Sequence, residues 1–379
     1  MPLQHIMQLL GNNTAEIEEI LKGMGEPAFR GRQVAAWLYR RGAASFAEMT
    51  DLSHSLREKL SRKYEIAFPE VTARHVSQDG STKLLLALGD GERIETVHLP
   101  YADRLSVCVS SQAGCAMACA FCATGMGGFR RNLTVAEIIA QPLLAMREAQ
   151  AVRQNREAQE SKVKDQRSKT ETQIPTHIVF MGMGEPLLNL DRVLKSIGLM
   201  HDEMGIPLRH ITVSTVGILA GMRRLAEAKL PLTLAVSLHA PEDELRHRLI
   251  PTSVKTRVAD IIEAARDYVA ITRRRVTFEY VVLGGVNDGP QLARKLAHLC
   301  RGWPCHVNLI PWNAVPDATF EGSMFTAPTA DAMRQFRAIL EQSGIAVTQR
   351  VQRGADVAAA CGQLRAIEVD TAQQLTVVS

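Results

Sequence analysis

The sequence of 379 residues predicts an α/β protein with a partly closed parallel barrel, a small N-terminal helical domain and a β-hairpin extension. Three observations lead to this prediction. Apolar residues recur three or four positions apart near the start, which indicates amphipathic helices. A Gly-Asp-Gly turn then separates two strand-like runs. Further on, short β-branched runs alternate with helical patterns, which is typical of a parallel sheet with helical crossovers.

Residues 1–70 form the predicted helical domain. Helical spacing is present in three segments, TAEIEEILKGM, GRQVAAWLYRRG and LSHSLREKLSRKY. The second segment brings arginines close to Trp37. Such a combination fits a nucleic-acid surface or an ordinary solvated helix face, and both interpretations stay open.

Residues 71–104 are predicted to form the hairpin extension. KLLLAL and RIETVHLPY resemble two strands around Gly89, Asp90 and Gly91. Glu95 lies in the second strand. From the strand pattern alone, it would be an ordinary residue that faces solvent.

Residues 105–350 contain the predicted barrel. The strand candidates are SVCVSS, THIVFMG, HITVST, LTLAVSL, VTFEYVVL, HVNLI and IAVTQ. The first six fit a closed or partly closed barrel, in which the loops at the carboxyl ends of the strands carry the chemistry. Residues 147–173 are almost free of large apolar side chains and rich in both charges. They predict an extended helix end followed by a mobile insertion without a catalytic part.

Composition limits the function classes. No stretch reaches the length of apolar sequence that a membrane span needs, and the first residues are acidic at Glu16, Glu18 and Glu19. The seven cysteines are odd in number and three are crowded together, which is unlike a disulfide scaffold. We therefore expect a cytoplasmic protein with reduced thiols. The net charge of +4 permits a basic patch for an acidic partner.

The segment GCAMACAFCATG carries the most specific signal. It places Cys115, Cys119 and Cys122 in one short loop after a predicted strand. A structural zinc site would need a fourth ligand, and the next His or Cys is His177, beyond the charged insertion. A 4Fe-4S cluster held by three cysteines leaves one iron free for a small molecule. This spacing is typical of radical S-adenosylmethionine (SAM) enzymes and favours the cluster over zinc.

Polar motifs end four of the later strands. They are MGMGEP (181–186), STVG (214–217), SLH (237–239) and IPWN (310–313). Each alone is typical of an ordinary loop. Because the carboxyl ends of parallel strands lie at one face, the four together predict a ligand site behind the cysteine loop.

At this point the sequence resembles the RlmN/Cfr family of radical-SAM RNA methyltransferases. The resemblance covers most of the chain and rests on GEPAFRGRQVAAWLY, SFAEMTDLS, IETV, CVSSQAGCAMACAFCATG, GMGEPLLNL, SLHAP, NLIPWN and RGADVAAACGQL. It implies a radical-SAM partial (β/α)6 barrel with an RNA-binding N-terminal domain. It also implies methylation of an adenosine in 23S rRNA, and in one branch of the adenosine beside the anticodon in tRNA. Only the insertion at 147–173 departs from the family pattern.

The resemblance implies a radical mechanism with two SAM molecules per turnover. C2 of adenine is electron-poor and does not attack a sulfonium methyl group, whereas a radical can add to it. By resemblance, Cys361, in the C-terminal segment 351–379, first accepts a methyl group from SAM. Cys108 then resolves the protein–RNA adduct by forming a disulfide with Cys361, and Glu95 removes the C2 proton.

The resemblance also implies the cofactor contacts and partners. The cluster ligands would be Cys115, Cys119 and Cys122. The implied SAM contacts are Gly184, Glu185, Ser214, Ser237, Leu238, His239 and Asn313. The expected partners are 23S rRNA, tRNA and a reducing protein such as flavodoxin or ferredoxin, with no membrane. The protein is expected to be a monomer.

Two alternatives remain at the level of sequence. A Cfr-type enzyme would methylate C8 of the same rRNA adenosine with the same residues. The shared motifs do not separate it well from the C2 enzyme, but the fuller match of the N-terminal helical unit favours C2. A zinc-stabilised RNA-binding protein without catalysis is the alternative from another class. Outside the motifs, Cys300 and Cys305 are expected to be buried thiols. Trp312 is expected to pack in the core, with base stacking as the alternative.

Overall fold

The computed structural model describes residues 6–160 and 175–366. The predicted N-terminal helices are present as α1 (Thr14–Gly23), α2 (Phe29–Tyr39) and α3 (His54–Ser61). Strand β1 (Met7–Gln8) pairs in parallel with β2 (Tyr64–Glu65). The side chain of Asn13 caps α1 by accepting from the backbone N–H of Glu16 at 2.9 Å. The pairing of β1 with β2 thus brings the two ends of this domain together before the main sheet begins.

The predicted hairpin is part of a larger antiparallel unit. Strands β4 (Thr82–Ala87) and β5 (Arg93–Pro100) form the expected hairpin, and β3 (Glu70–Val76) adds a strand at the outer edge. The sequence pattern missed β3, because most of its residues are exposed and it lacks the apolar alternation of a half-buried strand. We refer to β3, β4 and β5 as the β extension.

The remaining strands form the parallel core and two separate antiparallel pairs. They are β6 (Leu105–Cys108), β7 (Gln112–Gly114), β8 (Phe129–Asn132), β9 (Pro175–Phe180), β10 (Ile211–Thr215), β11 (Thr233–Ser237), β12 (Val276–Val282), β13 (Cys305–Pro311), β14 (Thr319–Phe320), β15 (Ser323–Met324) and β16 (Ala346–Gln349). Among the described residues, β7 pairs with β8 and β14 with β15, and the main sheet has the order β3-β4-β5-β6-β9-β10-β11-β12-β13-β16. Its strands from β6 onward are parallel, and β5 pairs antiparallel with β6. The β extension is thus continuous with the barrel sheet, whereas the sequence analysis treated residues 71–104 and residues 105–350 as separate units.

Helices connect and cover the parallel strands. They are α4 (Ala123–Met126), α5 (Val135–Glu160), α6 (Leu190–Gly198), α7 (Leu219–Glu227), α8 (Asp243–Leu249), α9 (Val258–Thr272), α10 (Pro290–Cys300) and α11 (Ala330–Gln342). The extended helix end predicted after residue 147 is present, since α5 continues to Glu160. The rest of the predicted insertion, residues 161–173, lies outside the described residues. Within the described part of the chain, no helix combines the length and apolar character needed to cross a bilayer.

Candidate active site

The cysteine loop follows β6 and is closed by the β7–β8 hairpin. The backbone N–H of Cys115 donates to the carbonyl of Gly128 at 2.9 Å. Gly114 has a positive φ of 71°, and a Cβ there would lie 1.9 Å from the same carbonyl oxygen. A Cβ on Gly125 would lie 2.8 Å from the backbone nitrogen of Cys119. The glycines of the motif are therefore needed for the close approach of backbone segments that shapes the loop.

The structure brings the three cysteines to one cavity of about 150 Å³. Six of the seven implied SAM residues line the same cavity. They are Gly184, Glu185, Ser214, Ser237, His239 and Asn313. Leu238 does not line it, because its side chain is fully buried in the core. The predicted meeting of motifs at the carboxyl ends of the strands is thus present.

Burial dominates the chemistry of the three thiols. It raises the pKa of Cys115 to about 12 and that of Cys119 well above its usual range. Burial also raises the pKa of Cys122. Thiolates are the ligand form of cysteine, and a bound cationic metal centre would provide the charge that stabilises them here. Across the two described ranges, no three His, Cys, Asp or Glu side chains are arranged to hold a single metal ion.

The donor set nevertheless fits a cluster held by three cysteines. Thiolates are soft ligands that favour iron–sulfur clusters. The side chain of Asn313 lies on the same cavity, and its Nδ2 donates to the carbonyl of Cys361 at 3.0 Å. Its Oδ1 is buried and has no hydrogen-bond partner in the described residues. A buried acceptor without a partner is costly, and a donor group of a bound ligand would satisfy it.

The GEP turn joins two strand ends. Gly184 has a φ of 102°, and a Cβ on it would lie 2.5 Å from Cβ of Gln112. The carboxylate of Glu185 accepts from the backbone N–H groups of Leu187 at 3.0 Å and Val216 at 2.8 Å. Burial raises the pKa of Glu185 to about 7. Glu185 therefore fixes the loop after β9 against the loop after β10 and also borders the cavity.

His239 is a neutral member of the site. Its Nδ1 accepts from the backbone N–H of Val281 at 3.0 Å, which assigns the ring proton to Nε2. The ring contacts Phe121 edge-on, with a centroid distance of 4.9 Å. Burial, together with the positive charge of Arg246, lowers the pKa of His239 to about 3. His239 therefore offers a hydrogen-bond donor without a positive charge.

Arg246 is a buried residue that the sequence analysis missed. Its side chain is fully buried, Nε donates to the carbonyl of Leu238 at 3.2 Å, and Nη2 donates to the carbonyls of Val216 and Ser237. Burial lowers its pKa only to about 10, so it stays charged near neutral pH. Its charge opposes the rise in the pKa of Cys119. The segment DELRHRL gave no signal, because arginine in a charged helix normally faces solvent.

The C-terminal loop carries Cys361 into the site. Cys361 lines the cluster cavity and also a second cavity of about 40 Å³, whose wall includes Cys108 and Arg350. Burial raises the pKa of Cys108 to about 12, and the positive charge of Arg350 opposes this rise. The two cysteines implied to react with each other therefore share one cavity. Arg350 was missed, although it directly follows IAVTQ, at the type of strand end where the other site residues lie.

Glu95 lies in β5 opposite Leu85 and is 1% exposed, so the solvent-facing interpretation is wrong. Its carboxylate contacts Lys83 at 3.0 Å and accepts from the backbone N–H of Arg365 at 2.8 Å. Glu95 lines neither of the two cavities above.

The sequence analysis also missed Glu279. This residue is buried on the wall of the cluster cavity, and burial raises its pKa.

Residues that the sequence analysis named outside the motifs lie in the core or on the N-terminal domain. Trp312 is 6% exposed, and its Nε1 donates to the carbonyl of Phe121 at 3.3 Å, which confirms a packing role. Cys300 and Cys305 are buried, as expected. In the N-terminal domain, Arg41 stacks on Trp37 with its Cζ 4.1 Å from the ring centroid.

Comparison with known proteins supports this architecture. Residues 7–66 match the family described as "Ribosomal RNA large subunit methyltransferase N-terminal domain", and residues 109–296 match the radical SAM superfamily. A protein of Thermosynechococcus vestitus named "Probable dual-specificity RNA methyltransferase RlmN" is 47% identical over 95% of this chain and 98% of its own length. The chain belongs to the RlmN family. A relative of the same name in Gloeobacter violaceus is 44% identical over 94% of each chain.

A solved structure of this type has the same fold. The crystal structure of a radical SAM methyltransferase from Sphaerobacter thermophilus is 42% identical and superposes with a TM-score of 0.85. The match covers 95% of this chain and 100% of that one. Membership in the RlmN family confirms the predicted radical-SAM α/β fold. It does not agree with the alternative of a zinc-stabilised protein without catalysis.

Proposed function

We propose that this protein is a radical-SAM methyltransferase that methylates C2 of an adenosine in 23S rRNA and of the adenosine next to the anticodon in tRNA. The observation that carries the proposal is the position of Cys361. Its side chain borders the cavity of Cys115, Cys119 and Cys122 and also the cavity of Cys108. One sulfur can thus contact both a cofactor and a second cysteine, as a methyl carrier requires.

The cofactor contacts follow from the cluster cavity. Cys115, Cys119 and Cys122 would hold a 4Fe-4S cluster, which supplies the electron that cleaves SAM reductively to a radical. The strand ends that line the cavity would hold SAM. Asn313 would use its unpartnered Oδ1 toward a donor group of SAM. A reducing protein such as flavodoxin or ferredoxin would provide the electrons.

The carrier cysteine would work in two stages. The Cys361 thiolate attacks the methyl carbon of one SAM, which forms a carbon–sulfur bond and displaces S-adenosylhomocysteine. A 5′-deoxyadenosyl radical from a second SAM takes a hydrogen atom from this methyl group and leaves as 5′-deoxyadenosine, and the resulting carbon radical adds to C2 of adenine. The adduct would give up one electron, which the bound cluster would accept, and Glu95 takes the C2 proton. The thiolate of Cys108 then bonds to the sulfur of Cys361, which breaks the bond between that sulfur and the added carbon, and this carbon takes up a proton to become the methyl group of the released base. The disulfide must then be reduced before the next turnover.

The names of the relatives support action on two kinds of RNA. The relatives in T. vestitus and G. violaceus are named as dual-specificity RNA methyltransferases, which agrees with the branch for which the resemblance implies C2 methylation of both rRNA and tRNA. We assign residues 1–70 to RNA binding, residues 105–350 to the catalytic barrel and residues 351–379 to methyl transfer, with residues 71–104 joining them. We also propose that the protein works as a monomer in the cytoplasm.

The test is the identity of the methylated nucleoside. Anaerobically reconstituted protein is incubated with SAM, a reductant and unmethylated 23S rRNA or tRNA, and the nucleosides are separated by liquid chromatography and mass spectrometry. We expect 2-methyladenosine from both RNAs and none from Cys361→Ala. The appearance of 8-methyladenosine would identify the Cfr-type reaction instead, and the absence of any methyladenosine would contradict the proposal.

A further inference from the structure

The β extension holds the C-terminal segment that carries Cys361. Arg353 donates to the carbonyl of Pro100 at 2.6 Å and to that of Asp79 at 2.7 Å. The hydroxyl of Ser77 donates to the carboxylate of Asp356 at 2.6 Å. These contacts fix the start of the segment at the turn between β3 and β4 and at the end of β5. They do not reach Cys361 itself.

A buried ion pair adds a contact on either side of Cys361. Nζ of Lys83 lies 3.0 Å from Oε1 of Glu95, and each side chain is 2% exposed. The ammonium group of Lys83 also donates to the carbonyl of Ala358 at 3.2 Å. Oε2 of Glu95 accepts from the backbone N–H of Arg365 at 2.8 Å. The pair therefore contacts the loop at Ala358, before Cys361, and at Arg365, after it.

The strand register explains how the pair forms. Lys83 lies opposite Val97, and Glu95 lies opposite Leu85, in the neighbouring strands β4 and β5. Lys83 and Leu85 point to the same face, so Lys83 and Glu95 are diagonal neighbours across the hairpin. The rest of β4 is buried and apolar at Leu84, Leu85 and Leu86.

An ion pair on this buried face of the sheet has an energetic cost. Removing two charges from water has a desolvation penalty that apolar residues of similar size would avoid. A buried pair is best explained where a charge or a defined geometry is needed. Here the anion is the carboxylate that the proposed function uses as a base, and its partner is Lys83.

We propose that Lys83 is a positioning residue with two effects: it pairs with the carboxylate of Glu95 and fixes its orientation, and it holds the Cys361 loop against the β extension through the ion pair. The role of Glu95 as base and of Cys361 as carrier rests on the proposed function. The docking of the loop by Lys83 does not.

The geometry links the base to the loop. Both carboxylate oxygens of Glu95 are engaged, one by Lys83 and the other by the N–H of Arg365. A proton from the substrate must go to an oxygen with a free lone pair in the right direction. A carboxylate oxygen has two lone pairs, so Oε1 and Oε2 each keep one acceptor position while Lys83 and Arg365 stay bound. The carboxylate that would take the proton is thus also a contact of the segment that carries Cys361.

The first experiment measures the docking of the loop without substrate. Hydrogen exchange of the backbone in residues 358–366 is compared among anaerobically reconstituted wild type, Lys83→Met and Lys83→Arg. We expect exchange at least tenfold faster in Lys83→Met and close to wild type in Lys83→Arg. Lys59→Met is the matched control, because it removes a lysine from an ion pair with Glu26 in the N-terminal domain. Unchanged exchange in Lys83→Met would overturn the docking role.

Glu95→Gln keeps the test decisive if Lys83→Met does not fold. The glutamine oxygen can still accept from Arg365, but the charge that pairs with Lys83 is gone. We expect faster exchange in this variant too, at least threefold. Exchange as slow as in wild type would show that the ion pair does not hold the loop.

The second experiment tests proton removal by Glu95 through the amount of protein–RNA adduct that accumulates. With SAM, reductant and RNA, Lys83→Met should accumulate a covalent protein–RNA adduct, as Glu95→Gln should, because C2 proton removal is slowed. Lys83→Arg should release product. Turnover of Lys83→Met at the wild-type rate without adduct would overturn the role toward Glu95. If wild type forms no methyladenosine, the proposed function fails, whereas the exchange experiment still decides whether Lys83 docks the loop.

Discussion

The backbone N–H of Ala123 donates to the carbonyl of Gly362 at 2.7 Å. This hydrogen bond joins the residue after Cys122 to the residue after Cys361. The hydroxyl of Thr124 supports the same junction, since it donates to the carbonyl of Leu364 at 2.6 Å. The cysteine loop and the C-terminal loop thus hold each other directly. We expect changes in one loop to alter the position of the other.

Replacement of a cluster ligand should remove the metal. In Cys115→Ala, we expect loss of the iron–sulfur absorbance after anaerobic reconstitution and loss of reductive SAM cleavage, because only two thiolates remain. Iron and sulfide analysis with chromatography of 5′-deoxyadenosine measures both. Cys300→Ala is the matched control, since Cys300 is buried away from the cavity and should retain the cluster. Full iron content in Cys115→Ala would contradict the ligand assignment.

Removal of the resolving cysteine should trap the RNA. In Cys108→Ala, the adduct between Cys361 and adenine has no second sulfur to release it. We expect RNA to remain bound to the protein on a denaturing gel. The double variant Cys108→Ala with Cys361→Ala should show no such band. Purification of active Cys108→Ala free of bound RNA would count against the proposed role.

Gly184 should be required for SAM binding. Alanine at this position combines an unfavourable positive φ with a Cβ 2.5 Å from Cβ of Gln112. We expect at least a tenfold loss of SAM affinity in equilibrium binding, because Glu185 and the GEP turn must shift. Gly127→Ala is the control in the neighbouring cysteine loop, where φ is negative and the nearest atom lies at 3.5 Å. Similar SAM affinities in both variants would argue against this steric requirement.

Arg246 should stabilise the loops around the site. Arg246→Met removes the guanidinium hydrogen bonds to the carbonyls of Leu238, Val216 and Ser237, at a cost of about 2–4 kcal/mol in the free energy of unfolding. Urea denaturation measures this loss. Arg337→Met provides the comparison, because the ion pair of Arg337 with Glu341 is exposed and contributes little. Equal stability of the two variants would mean that the buried contacts of Arg246 are not important for folding.

The sequence predicted the elements whose signals are local. Each of the seven core strands is a short β-branched run between helical patterns, and the three cluster cysteines are close in the chain. β3 was missed because exposed residues dominate it, and the β7–β8 hairpin was missed because its strands are very short. The carboxylate of Glu95 accepts from the backbone N–H of Arg365, which lies 270 residues further along the chain. A local pattern contains no information about such a contact.

Cys361 belongs to the walls of two compartments, one with the three cluster cysteines and one with Cys108. The sulfur can therefore accept a methyl group from one side and react with Cys108 on the other side without a large movement of the side chain. A change confined to the Cys108 side of this sulfur would then block product release and still permit the initial alkylation of the enzyme by its own cofactor.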